Sequence, residues 1–140
     1  MYKEKKYKIG YTQGTFDMFH IGHLNLLKHA KECCDILIVG VNTDDLVREY
    51  KQKTPIINQV ERAEILKAIR YVDNVILCST LDKSEIHKWI HFDAIFIGDD
   101  WKGNERWKRT EQELGAIGVD VVYLAHTQGI SSTMLRTIKG

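Results

Sequence analysis

The sequence predicts an α/β domain built on a parallel sheet with helices on both faces, and three observations predict it. Short apolar runs recur at residues 9–12, 36–41, 75–77, 94–97 and 119–124, with segments of helical period between them. The second run, Ile36-Leu-Ile-Val-Gly-Val41, is apolar without a break, as a strand buried on both faces should be. Polar clusters follow these runs: residues 14–23 after the first, Asn42-Thr-Asp-Asp after the second, Gly98-Asp-Asp-Trp after the fourth and residues 126–133 after the fifth. Ligands of open parallel sheets bind beyond the carboxyl ends of the strands, where the strand order reverses, so this placement points to a ligand site.

Taken in order, the first run, Ile9-Gly-Tyr-Thr12, leads through Gly14-Thr15-Phe16-Asp17-Met-Phe-His20-Ile-Gly22-His23 into a helical pattern, Leu24, Leu27, Ala30, Cys34. This reads as a strand, a glycine-containing turn and a helix whose first turn carries His20 and His23. Gly14 is free to take backbone angles that other residues avoid and lets a ligand come close to the chain. The unpaired N–H groups and positive dipole end of a helix start suit a phosphate. Imidazoles three residues apart on a helix face the same way. The stretch therefore proposes an anion cradle with two titratable donors, although spacing alone also fits a surface pair or half of a metal site.

After the second run, Lys51-Gln-Lys53-Thr-Pro55 is a polar stretch that reads as a solvated loop or as a mobile flap bringing two ammonium groups over phosphates. It has no apolar anchor in sequence terms, which predicts a loop that orders on nucleotide binding. Residues 58–69 form the clearest helical pattern, with Asn58 as cap, Glu61 three residues on, and Ile65, Leu66 and Ile69 along one face. Arg62 and Arg70, eight residues apart, are expected on similar faces of this segment. Residues 81–90 and 106–114 are weaker helical candidates, and a last helix starts at Ser131 or Ser132. Asp99-Asp100-Trp101 after the fourth run fits a turn, a site for a hydroxyl-bearing acceptor, or part of a Mg²⁺ site completed by substrate phosphates. The final cluster, His126-Thr127-Gln-Gly129-Ile130-Ser131-Ser132-Thr133, is a glycine turn followed by hydroxyl residues at a helix start, a plain cap or a second phosphate-facing N-terminus. The fold reading is one Rossmann-like, doubly wound domain over residues 1–140, with no repeat or linker.

Composition excludes several classes. Twenty basic and nineteen acidic residues leave a net charge of +1, which gives no electrostatic case for nucleic acid or a membrane surface. The basic start lacks an apolar segment behind it, and no run of ~18 apolar residues exists, so neither a secretory signal nor a membrane span is expected. Cys33, Cys34 and Cys78 fit no zinc spacing and read as reduced thiols of a cytoplasmic protein.

The string Gly-Thr-Phe-Asp-x-x-His-x-Gly-His over residues 14–23 resembles the signature of the cytidylyltransferase-type nucleotidyltransferases, and the glycerol-3-phosphate cytidylyltransferase group is the most similar branch. Further similarities are the lysine pair Lys51 and Lys53, the segment Ile69-Arg70-Tyr-Val-Asp73, the Gly-Asp-Asp-Trp string, and Gly129-Ile-Ser near the end. The resemblance implies transfer of a cytidylyl group from CTP to a phosphorylated small alcohol, with Mg²⁺ accompanying CTP and a homodimer as the assembly. It implies that His20, His23, Lys51 and Lys53 are catalytic. Gly14, Thr15, Phe16, Gly22, Lys53, Arg70, His126, Thr127, Gly129, Ile130, Ser131, Ser132 and Thr133 would join the histidines in binding the nucleotide. Asp17, Lys51, Asp99, Asp100 and Trp101 would meet the acceptor. Two positions depart from the pattern: His126 stands where the family usually has arginine, and the segment after Trp101 is longer. An adenylyltransferase with a related histidine motif and a nucleotide-binding module without chemistry are the rival readings.

Overall fold

The computed structural model describes residues 5–125. Five parallel strands, β1 (Tyr7–Gly14), β2 (Cys34–Asn42), β3 (Asn74–Cys78), β4 (Ala94–Gly98) and β5 (Asp120–Leu124), form one sheet in the order β3-β2-β1-β4-β5. The chain moves outward from β1 to β3, then returns to lay β4 on the other side of β1. Strand order therefore reverses between β1 and β4, and both crossovers that start the two halves open at the same, carboxyl edge. This is the doubly wound, Rossmann-like arrangement that the alternation of runs predicts.

Helix α1 (Ile21–Cys33) joins β1 to β2, and α3 (Gln59–Lys67) lies between β2 and β3. Their apolar residues, Leu27, Ala30 and Leu66, pack with Leu37, Val39, Val41 and Phe96 in one core layer. Helix α4 (Lys83–Ile90) and α5 (Glu105–Gly115) cover the other face, where Ile86, Trp107 and Leu114 meet Tyr11, Phe92 and Ile95. Burial on both faces explains the unbroken apolar run of β2. Two glycines make the layers possible: a Cβ on Gly10 would stand 2.5 Å from the Phe96 ring, and one on Gly40 2.1 Å from the Tyr11 hydroxyl oxygen.

Helix α1 ends at Cys33 and β2 begins at the next residue, so Cys34, assigned above to the helix pattern, opens the strand; its thiol donates back to the Ala30 carbonyl. Asn58 caps α3 by accepting the Glu61 N–H at 2.9 Å, as its spacing predicts. The buried side of α3 is different from the one expected: Arg62, Ala63 and Leu66 are buried, whereas Ile65 is 38% exposed. A further helix, α2 (Asp44–Lys51), follows β2 directly and has no counterpart in the sequence reading. It buries only the adjacent pair Leu46 and Val47, too few apolar residues to show a period. Among the described residues no helix is long and apolar enough to cross a membrane, and Cys33, Cys34 and Cys78 are unbridged. The helix expected from Ser131 or Ser132 lies outside the described residues.

Candidate active site

The turn after β1 is built on backbone strain. Phe16 and Met18 adopt φ angles of 54° and 49°, a region that bulky side chains avoid and that costs roughly 1–3 kcal/mol per residue. Both side chains are buried, so packing offsets the strain. Gly14 was expected to supply the unusual backbone angle; the left-handed residues are Phe16 and Met18 instead. Gly14 provides room, because a Cβ there would come 3.2 Å from the Phe16 ring.

His20 is the N-cap of α1, one residue outside the helix, and His23 is its third residue. His20 Nδ1 accepts the Gly22 N–H at 3.0 Å, and the His20 N–H donates to His23 Nδ1 at 3.2 Å. The two imidazoles thus close a capping box in which Ser or Thr and Glu or Gln are the usual partners. Their rings stack with centroids 3.8 Å apart, and Phe16 and Phe19 flank His23 at 5.4 Å. Each Nδ1 lone pair receives a backbone proton, so these hydrogen bonds assign the proton of each neutral ring to Nε2. Burial lowers the His20 pKa. Burial, reinforced by the neighbouring His20, brings His23 down to about 4 against the pull of Asp17. At neutral pH the helix start offers two neutral Nε2–H donors rather than two cations.

Arg62 ties this turn to the rest of the carboxyl edge. Its enclosed guanidinium donates to the carbonyls of Thr15 at 2.7 Å, Asn42 at 2.8 Å and Ile57 at 2.8 Å, and to the Asp44 carboxylate at 2.6 Å. The expectation that Arg62 and Arg70 share a face is overturned. Arg62 points into the sheet edge from the first turn of α3, while Arg70 is exposed, with its guanidinium 5.5 Å over the Tyr71 ring. Arg70 also precedes the start of β3, at the opposite edge of a parallel sheet from the histidine pair, so the fold does not bring it to them. The signal for Arg62 was its spacing: with Leu66 and Ile69 it forms an i, i+4, i+7 row on the buried side.

Asp17 is buried, and its two carboxylate oxygens accept the N–H groups of Ile56 and Ile57, each at 2.9 Å. The residue expected to meet the acceptor therefore clamps the chain that leads from the lysines into α3. Lys51 is the last residue of α2, with its ammonium 5.7 Å over the Tyr50 ring, and Lys53 follows it in an exposed stretch. Pro55 is buried, so the stretch does have an apolar anchor, and only residues 52–54 lie between the helix and that anchor. Across the reversal point, Asp99–Trp101 form a single 3-10 turn at the end of β4, with both carboxylates exposed and the Arg106 guanidinium 5.4 Å over the Trp101 ring. His126, Thr127, Gly129, Ile130, Ser131, Ser132 and Thr133 lie outside the described residues.

Among the described residues no group of three or more His, Cys, Asp or Glu gathers to hold a metal ion. A paired-histidine helix start and a strained turn thus stand together at the carboxyl edge, braced by a guanidinium hub. A family model described as cytidylyltransferase-like matches residues 11–138. The chain belongs to this family. It is 37% identical over 126 residues to a glycerol-3-phosphate cytidylyltransferase of Bacillus subtilis, covering 89% of this chain and 92% of that one. It is 39% identical over 126 residues to a FAD synthase of Thermococcus kodakarensis, covering 89% and 83%. Among solved structures, a lipopolysaccharide core biosynthesis protein of Thermoplasma volcanium superposes with a TM-score of 0.76 at 27% identity, over 87% of this chain and 99% of that one. The Rossmann-like fold of this cytidylyltransferase-like chain is thus shared over nearly its whole length.

Proposed function

We propose that this chain transfers CMP from CTP to a phosphorylated small alcohol, such as glycerol-3-phosphate or a similar polyol phosphate, and releases pyrophosphate. The observation that carries the reading is the histidine capping box, which fixes two Nε2–H donors at the start of a 13-residue helix. An oxygen of the acceptor phosphate attacks the α-phosphorus, forming a new P–O bond while the bond to the bridging oxygen of the departing pyrophosphate breaks. The acceptor is already an anion, so no covalent nucleophile is needed. The requirement is positioning and charge stabilisation. Neutral imidazole N–H groups stabilise charge developing on the α-phosphate without having to lose a proton. Lys51 and Lys53 border the carboxyl edge from the end of α2 and neutralise the acceptor phosphate and the nucleotide. Gly14, Thr15, Phe16 and Gly22 form the turn and helix start against the triphosphate, and Asp99, Asp100 and Trp101 face the acceptor from β4. The 126–133 segment completes the nucleotide site as the resemblance implies.

Mg²⁺ would accompany CTP, as the resemblance implies, and would neutralise charge on its phosphates; among the described residues no group of three or more His, Cys, Asp or Glu gathers to hold it. The resemblance also supports a homodimer, which light scattering would check.

The test is a pyrophosphate-release screen of CTP and ATP against glycerol phosphate, other polyol phosphates, phosphocholine and phosphonates. We expect turnover with CTP and a polyol phosphate, and His23→Ala to lower kcat by roughly 10²-fold with a modest change in KM. A variant that loses only CTP affinity would remove the histidines from the chemistry. The similarity to the FAD synthases of Thermococcus favours a second reading, AMP transfer from ATP, which the ATP arm of the screen detects with FMN as the phosphorylated acceptor.

A further inference from the structure

A row of hydrogen bonds runs across the carboxyl edge of the sheet, from a buried thiol to the turn after β1, and its protons point the same way from the thiol as far as Tyr50. The Tyr11 hydroxyl donates to Gln13 Oε1 at 2.6 Å. It has only one proton to give, so its 3.2 Å contact with Cys78 Sγ is a donation from the thiol. Gln13 Nε2 donates to Asn42 Oδ1 at 2.9 Å and to the Thr80 carbonyl at 2.9 Å, which fixes the orientation of both amides. Asn42 Nδ2 then donates to the Tyr50 hydroxyl oxygen at 3.2 Å. The Tyr50 and Thr15 hydroxyls stand 3.2 Å apart and either can donate to the other. Continuing the direction of the row assigns the shared proton to Tyr50, which leaves the Thr15 proton with no acceptor among the described residues.

The geometry points to Tyr50 as a positioning residue. By filling a lone pair of Thr15 Oγ1, its hydroxyl obliges the threonine to act as a donor, and the phosphate of the bound nucleotide is the acceptor that meets it. The inference rests on the reading that the turn at residues 14–23 holds a nucleotide phosphate. Nothing in the turn motif itself requires a tyrosine on α2. The polarity follows from a network of side chains on β1, β2 and α2, and aligned hydrogen bonds polarise one another toward the free end. Tyr50 makes two separable contacts: its hydroxyl serves Thr15, and its ring lies under the Lys51 ammonium.

The experiment is a double-mutant cycle read on the Kd for CTP by calorimetry, together with kcat and KM. Tyr50→Phe keeps the ring beneath Lys51 and removes only the hydroxyl. Thr15→Val keeps the shape and removes the donor, and Thr15→Ser restores a donor. We expect Thr15→Val to weaken CTP roughly 10-fold or more, the range of one hydrogen bond to a charged group, and Tyr50→Phe to weaken it several-fold. The double variant should be no weaker than Thr15→Val within twofold, and Thr15→Ser should bind close to wild type and stay sensitive to Tyr50→Phe. Additive losses in the double variant would overturn the proposal, as would Tyr50→Phe binding CTP like wild type, because in either case the hydroxyl does not act through Thr15. Thermal unfolding of each variant separates these results from loss of fold. Wild-type protein that releases no pyrophosphate from CTP overturns the parent reading by itself. The same cycle is then read on whichever nucleoside triphosphate it binds, and binding of none overturns both.

Discussion

Among the described residues two cations are buried, and the chain treats them in opposite ways. Arg62 sits at the carboxyl edge with three carbonyls and a carboxylate around its planar fork. Lys83, on the first turn of α4, is 7% exposed and has one hydrogen bond, to the Leu81 carbonyl at 2.8 Å; its ammonium stands 5.1 Å over the Trp107 ring. Burial, with Arg106 nearby, lowers the Lys83 pKa to about 8. The Trp107 Nε1–H beside it is buried without a partner. A guanidinium suits the first place because its rigid donors match several fixed acceptors at once, whereas a single ammonium on a flexible stem tolerates an apolar niche by losing its proton more readily. The difference teaches where the fold is committed: the half of the edge that holds the histidine turn is cross-braced by a permanent charge, and the α4 side is not.

The contrast breaks most decisively at Arg62. Arg62→Met leaves three carbonyls and the Asp44 carboxylate without their donor, and we expect a loss of about 3–5 kcal/mol in chemical denaturation. Arg62→Lys retains the charge but not the fork, and should cost roughly half as much. If either variant unfolds like wild type, the hub is decorative. A smaller effect is expected at His23. Its pKa of about 4 predicts that in an NMR titration of the free protein the His23 ring stays neutral from pH 8 down to about 5 and protonates only below that, breaking the bond from the His20 N–H. A ring that titrates near the ordinary histidine value, ~6.5, would show that burial does not govern the pair.

The smallest effect belongs to Lys83. Its folded pKa lies below the unfolded value, so the unfolded chain binds the extra proton between about pH 8 and ~10.4, and stability should rise with pH across that window. Lys83→Met removes the cost of the buried charge. We expect it to be neutral or stabilising by roughly 1–2 kcal/mol at pH 7, with turnover unchanged and the gain shrinking as pH rises from about 8 to ~10.4. Destabilisation of Arg62 size would abolish the contrast. On the nucleotide side, trypsin should cut after Lys53 in the free protein and be slowed by CTP; equal cleavage in both states counts against closure of residues 52–54 over the nucleotide.

Much of the architecture was legible because strands and helices bury different periods. The unbroken run at residues 36–41 announced a central strand, and Asn58 announced the helix it caps. Helix α2 was not legible, since Leu46 and Val47 are adjacent and repeat no pattern; its evidence is the Thr43 cap, whose hydroxyl oxygen accepts the Leu46 N–H. At the site, the histidines could be found from their string, but not their exchange of backbone protons, which depends on His20 standing just outside the helix. The tertiary roles of Asp17 and Arg62 were hidden for a shared reason. A carboxylate and a guanidinium in a phosphate-binding neighbourhood read as ligand contacts, and only the fold shows that backbone N–H groups and carbonyls reach them first.

The direct join between α1 and β2 has a consequence for anyone who would edit this chain. With no connecting residue between Cys33 and Cys34, an insertion there has no slack to occupy. One added residue would slip β2 against β1 and turn Leu37, Val39 and Val41 away from their layer. Residues 52–54, exposed between the end of α2 and the buried Pro55, are where a tag, a label or a new pair of termini costs least to the fold. Helix α1 and its neighbouring strand behave as a single splice-proof cassette, and the lysine stretch is the seam at which the molecule can be opened.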